Sequence, residues 1–200
     1  MTIIPRWALT SLTGTAAVLA IGIQFVSTAQ AQDKKETAKK VQAAIVAAGE
    51  ALTAGDDSKV KEVEKFDLDP IMHSFKPRAR GGIGFGEKAG LVPPNEDGLE
   101  SKMISLSKKP LSAGDAGKFE SAITAAAHQI LAIGLASDSK WPENKDKAKS
   151  KDKWAEYNTL MKDGAKELGA AAKAKDSAKI KASATKINRS CNECHTAFRD

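Results

Sequence analysis

The sequence predicts an all-α protein, an antiparallel four-helix bundle with one long irregular insertion between its first and second bundle helices. Three observations carry this. Alanine and lysine dominate most of the chain while aromatics make up only 5% of its 200 residues, a composition that favours helices. Apolar residues recur at three- and four-residue spacing in four separate stretches. Glycine and proline crowd into one region, about residues 55–111, which marks the insertion.

Residues 1–31 read as an export signal. Arg6 is the only charge there, an apolar run from Trp7 to Val26 follows, and Ala29-Gln30-Ala31 offers a small-x-small cleavage site. The expected location is therefore periplasmic or otherwise exported. The run is about 20 residues, longer than the usual ~7 to 15, so an uncleaved segment anchoring the protein to a membrane is the alternative. Removing residues 1–31 from the 200 leaves 169, a length suited to one domain, 32–200, with one core.

The first bundle helix is expected from about Lys34 to Ala54, with Val41, Ile45, Ala48 and Leu52 on one stripe and Gly55 just past its end. Within the insertion a short helix is expected near Lys59 to Phe66 and another from about Glu96 to Lys109, ended by Pro110. Ser112 caps the second bundle helix, which runs to about Ala136 with Phe119, Ile123, Ala126, Ile130 and Ile133 on a face. The third, about Lys151 to Lys173, gathers Trp154, Tyr157, Met161, Ala165, Leu168 and Ala172 within an arc of about 80°. Asp176 caps the fourth, whose stripe is Ile180, Ala184, Ile187, Cys191, Cys194, His195 and Phe198.

That last stripe holds the chemistry. Cys191-Asn192-Glu193-Cys194-His195 is a C-x-x-C-H pentad, the attachment signature of a c-type haem. On a helix advancing ~100° per residue, Cys194 and His195 lie roughly −60° and +40° from Cys191, so two thiols and an imidazole share a face. Two thioethers can then hold one covalent haem, with His195 the proximal ligand of its iron. A thioredoxin-like couple wants a βαβ context that is missing here. A structural zinc wants four ligands, usually two such pairs, and the chain has two cysteines and three histidines in all. Folding the third helix back on the fourth near residue 175 sets Trp154 and Tyr157 opposite Cys194 and Cys191, to pack on the porphyrin.

Charge excludes other classes. Without Arg6 the 31 Lys and Arg become 30 against 25 Asp and Glu, a surplus interspersed with acids that reads as a solvated helical surface rather than a nucleic-acid groove. Gly81-Gly82-Ile83-Gly84-Phe85-Gly86 resembles a nucleotide-binding loop only loosely and follows no strand, so no nucleotide is expected. These glycines are expected instead to let backbone pass close to a porphyrin edge; Arg78 and Arg80 on the same loop are expected as solvated charges, with contact to the propionates the alternative.

A C-terminal C-x-x-C-H followed by Phe198 and Arg199, on the fourth helix of an alanine-rich bundle, resembles the class II c-type cytochromes, the cytochrome c prime and bundle cytochrome family. The specific likeness covers Lys151 to Asp200 and fades before Ser112. It implies a haem on Cys191 and Cys194 ligated by His195, Arg199 as partner of a propionate, redox partner proteins, and the option of a homodimer. It also implies a distal residue near the start of the first helix, where this chain has neither Met nor His from Gln32 to Glu50.

The sixth ligand is therefore sought elsewhere, among Met72, His73, Met103, His128 and Met161. Met72 or His73 is the choice, because both lie in the insertion beside Pro70 and Pro77, in a stretch long enough to cover an open haem face. Electron transfer is the expected function. Binding of a small gas such as NO or CO at a five-coordinate haem is the alternative, and an enzymatic role is not expected, since spacing yields no catalytic constellation.

Overall fold

A computed structural model describes residues 16–142 and 149–199, with side chains from Gln32 onward. All regular structure among them is helical. The chain falls into two compact units, Met1–Glu36 and Thr37–Asp200. The export signal read over residues 1–31 lies partly outside the described residues. No helix among the described residues is long and apolar enough to cross a membrane.

The first helix, α1 (Ala16–Thr53), begins earlier than its apolar stripe suggests, because no proline interrupts the run of Ala, Gln, Lys and Glu before it. It ends where expected. Gly55 takes a left-handed φ of 82°, and the N–H of Asp56 and of Gly55 return to the carbonyls of Ala51 and Leu52, the pattern that closes a helix C-terminus. Val41, Ile45 and Ala48 are fully buried, as the stripe predicts.

The insertion holds more order than expected. α2 (Val60–Glu64) stands within the short helix expected near Lys59–Phe66; α3 (Leu68–His73) and a 3-10 turn at Arg78–Arg80 are additional, and α4 (Leu99–Lys108) is the helix expected at about Glu96–Lys109. α3 accepts Pro70 because that residue falls in its first turn, where no helical partner awaits its missing N–H. α4 buries Leu99, Met103 and Leu106 and packs along the last helix, so the insertion supplies a wall of the bundle.

The stretch read as one helix from Ser112 is two. Ser112 caps α5 (Ala113–Lys118), accepting the N–H of Asp115 at 3.0 Å, and Phe119 then leaves helical geometry (φ −109°, ψ 17°) before α6 (Glu120–Ser137). Gly114 and Gly117 weaken that first segment enough for the break. α6 packs on α7 (Lys151–Lys173), and α7 on α8 (Ser177–Phe198). Between them Lys175 adopts φ 55°, and the Asp176 carboxylate accepts the N–H of Lys179 at 3.0 Å, so the turn is as tight as the sequence implies. Ile123, Ile130, Ile133, Leu168, Ile180 and Ile187 are fully buried, each contributing about 1.5–3 kcal/mol of apolar burial.

Candidate functional site

The pentad sits on the last turns of α8, and its setting is built from three directions. Ile180, Ala184 and Ile187 carry the buried stripe up to Cys191, which packs against the core. Ser190 ties this turn to α7, its hydroxyl donating to the carbonyl of Tyr157 at 2.8 Å. About one turn earlier on α8, Gly164 of α7 lets α8 approach so closely that a Cβ there would lie 2.8 Å from Cγ1 of Ile187.

Cys191, Cys194 and His195 open onto a cavity of about 540 Å³, counting the part open to solvent. α7 lines it with Trp154, Tyr157, Asn158 and Met161, as the folding-back of the third helix on the fourth requires. The insertion adds Met72 from the last turn of α3, Phe75 just beyond it, and Glu100 from the first turn of α4. These two helices are held together by the N–H of Glu100 donating to the carbonyl of Phe75 at 3.3 Å. At Gly98 a Cβ would lie 3.0 Å from both that carbonyl oxygen and the nitrogen of Pro77.

Aromatic order is strong at the cavity wall. The ring of Phe198 meets Trp154 edge to face at 5.3 Å and Tyr157 at 6.4 Å. The amide of Asn158 is held by the carbonyl of Gly134 at 2.9 Å and by Asp138 at 2.7 Å, which fixes its place beside Trp154. Burial, with the Glu100 charge second, pushes the Cys191 thiol up to about 12, and burial pushes Cys194 up to about 11. Both therefore stand as neutral thiols, apolar in character, in the free chain. His195 is 41% exposed, and its Nδ1 lies 3.9 Å from Oε1 of Glu100.

Residues 102–199 match the family model described as Cytochrome C'. Over these residues the chain is similar to the cytochrome c′ family. No curated protein and no solved structure matches the chain. The cytochrome c′ match begins inside α4, further upstream than the likeness read from residues 151–200, and it leaves the helix at 34–54 outside. That family implies a c-type haem, and its proteins are typically exported. The site fits that group: apolar and aromatic walls suit a macrocycle, and two thiols one helical turn apart with an adjoining imidazole suit its attachment and its iron.

Other expected residues fare differently. Met72 lines the cavity, whereas His73 is turned to solvent, 44% exposed, with Nδ1 3.1 Å from Asp69 one turn back. Met161 lines the cavity and also belongs to the core, as core packing would have it. Met103 is buried in the core, away from the cavity lining, and His128 meets Thr53 of α1 at 2.6 Å. Arg199 is not brought to the cavity: α8 ends at Phe198, and Arg199 caps it, exposed, with an extended backbone. Arg78 is tied to Asp97 and to the carbonyl of Gly86, so its guanidinium is spent on the loop. The glycines do not pass along the cavity either. Gly82 and Gly84 close on Lys76 and Arg78 of their own loop. Phe75, Glu100, Asn158 and Ser190 went unpredicted; only Ser190, adjoining the pentad, carried a signal that spacing on α8 would have revealed.

Proposed function

We propose that the protein holds one haem through thioethers to Cys191 and Cys194, with His195 as proximal ligand, and serves as an exported electron-transfer protein rather than an enzyme. The observation that supports this most is that one cavity gathers both thiols, the imidazole and the soft thioether of Met72. Haem, when bound, supplies one-electron chemistry at iron. The chain's own contribution is a rigid, largely apolar wall. Trp154 and Tyr157 wall the cavity, the ring of Phe198 packs edge to face against both, and the Ser190 hydroxyl fixes the pentad's turn to α7. Such a preset environment changes little between oxidation states, which favours fast exchange with partner proteins. The export signal read over residues 1–31 supports the location, and the modest basic surplus of the mature chain suits redox partners with acidic faces.

The test is one purified sample. Haem should stay with the polypeptide in acidified organic solvent, and the oxidised absorption spectrum should be low-spin. Extraction of the haem would sink the thioether reading. High-spin iron with covalent haem would sink electron transfer by a closed site and favour binding of a small gas.

A further inference from the structure

Among the described residues Glu100 is the one carboxylate lining the cavity, and it comes from outside α8 and from outside the family match, which starts two residues later. Its place is enforced rather than incidental. α4 begins at Leu99 after Gly98, whose missing side chain lets the helix start abut Phe75 and Pro77, and the Glu100 N–H is fixed to the Phe75 carbonyl. The flanking Leu99 and Met103 are buried, and α4 packs along α8. The carboxylate therefore reaches the pentad from a braced backbone, and the atom of His195 it faces is Nδ1, at 3.9 Å. Both side chains are 41% exposed, so about 1 Å of side-chain movement brings them into hydrogen-bond range.

We propose that Glu100 is a positioning residue for the haem iron's proximal ligand: its carboxylate accepts the Nδ1–H of His195 and so commits Nε2, bare of a proton, to the metal. This rests on the haem reading above. A ligating histidine takes its tautomer and its donor strength from the partner of its other nitrogen. A carboxylate there gives the imidazole more anionic character, strengthens its bond to iron and favours the ferric state. Asp and Glu are the strongest acceptors for this purpose, because the hydrogen bond is charge-assisted.

The experiment compares holoprotein with Glu100→Gln, Glu100→Ala and, as a control for bare charge, Glu193→Gln, a carboxylate on α8 paired with Arg189 at 2.6 Å. Two quantities are read on each: the iron–histidine stretching band by resonance Raman, on ferrous protein made five-coordinate by photolysis of its carbon monoxide adduct, and the midpoint potential. Glu100→Ala should move the band to lower frequency and weaken the preference for ferric iron about tenfold, an upward shift of about 59 mV for one electron. Glu100→Gln should fall between, keeping an acceptor without its charge, and Glu193→Gln should leave the band in place. An unchanged band in Glu100→Ala overturns the proposal, as does an equal band shift in Glu193→Gln. A change of spin state with the band unmoved also overturns it, by making Glu100 a ligand of iron instead. Absence of covalent haem from the unmutated protein is a separate result, the failure of the haem reading itself.

Discussion

The indole Nε1–H of Trp154 donates to the carbonyl of Ser137 at 2.9 Å, crossing from α7 to the last residue of α6. That carbonyl also accepts the N–H of Lys140 at 3.1 Å, so it stays partly satisfied without the indole. Trp154→Phe should therefore cost only about 1 kcal/mol, the worth of one buried hydrogen bond, in a chemical-denaturation midpoint. Trp154→Ala removes the ring that Phe198 packs against and should cost about 3–5 kcal/mol. If both variants unfold alike, the ring is not a structural wall of the cavity.

Met72 should be distinguishable from its neighbour by spectroscopy. It lines the cavity, while His73 faces solvent beside Asp69. With Met72 as sixth ligand, Met72→Ala turns oxidised iron from low-spin to high-spin, and His73→Ala leaves the spectrum unchanged. The reverse pattern would require α3 to rotate on binding haem and would reject this assignment.

Gly82 is the residue of the glycine series that tolerates least. A Cβ built on it would lie 1.6 Å from the carbonyl oxygen of Lys76, a main-chain atom that cannot swing aside. Gly82→Ala should thus disrupt the loop that carries Arg78 and Gly84, seen as early amide exchange over about residues 74–86. Gly55→Ala has open space and strains only φ, so a loss of about 1 kcal/mol is expected. Equal tolerance at the two positions would reject the packing described.

The bundle's second half was legible because each signal there is local. The seam of α7, the caps at Ser112 and Asp176, and the pentad all follow from spacing on a single helix, and the placement of Trp154 and Tyr157 follows from one tight turn. The insertion was legible only in part: α2 and α4 were expected near their places, but α3 and the packing of these helices were not. Its helices are short, α3 carries a proline that argues against helix unless its first turn is recognised, and the packing of α4 on α8 is a contact between distant segments. Glu100 illustrates this: an acid in a first helical turn is common everywhere, and only the approach of α4 to α8 sets it beside His195. The glycines misled in the same way, since close approach was inferred correctly but its partner turned out to be the loop itself.

Lys102 should make the protein's stability depend on alkaline pH. It is 1% exposed, its ammonium donates to the carbonyls of Val92, at 2.6 Å, and Pro94, and it sits 5.0 Å from the centre of the Phe85 ring. Burial drives its pKa down to about 8, outweighing the opposing charges of Glu96 and Asp97. The unfolded chain holds this proton up to its ordinary value of 10.5. Below pH ~8 both states are protonated and the penalty of burying the charge is fully present, with no slope. Between pH ~8 and ~10.5 the unfolded state binds more protons, so raising the pH favours folding. The full gain across that window is on the order of 3 kcal/mol. Lys102→Met keeps the stem and removes the titration. Denaturation midpoints at pH 7, 8, 9 and 10 should show a rising contribution in the unmutated protein relative to Lys102→Met, measured as their difference so that other titrating groups cancel. A difference that is flat, or that falls with pH, would mean that the Val92 and Pro94 carbonyls hold the charged ammonium better than its burial opposes it.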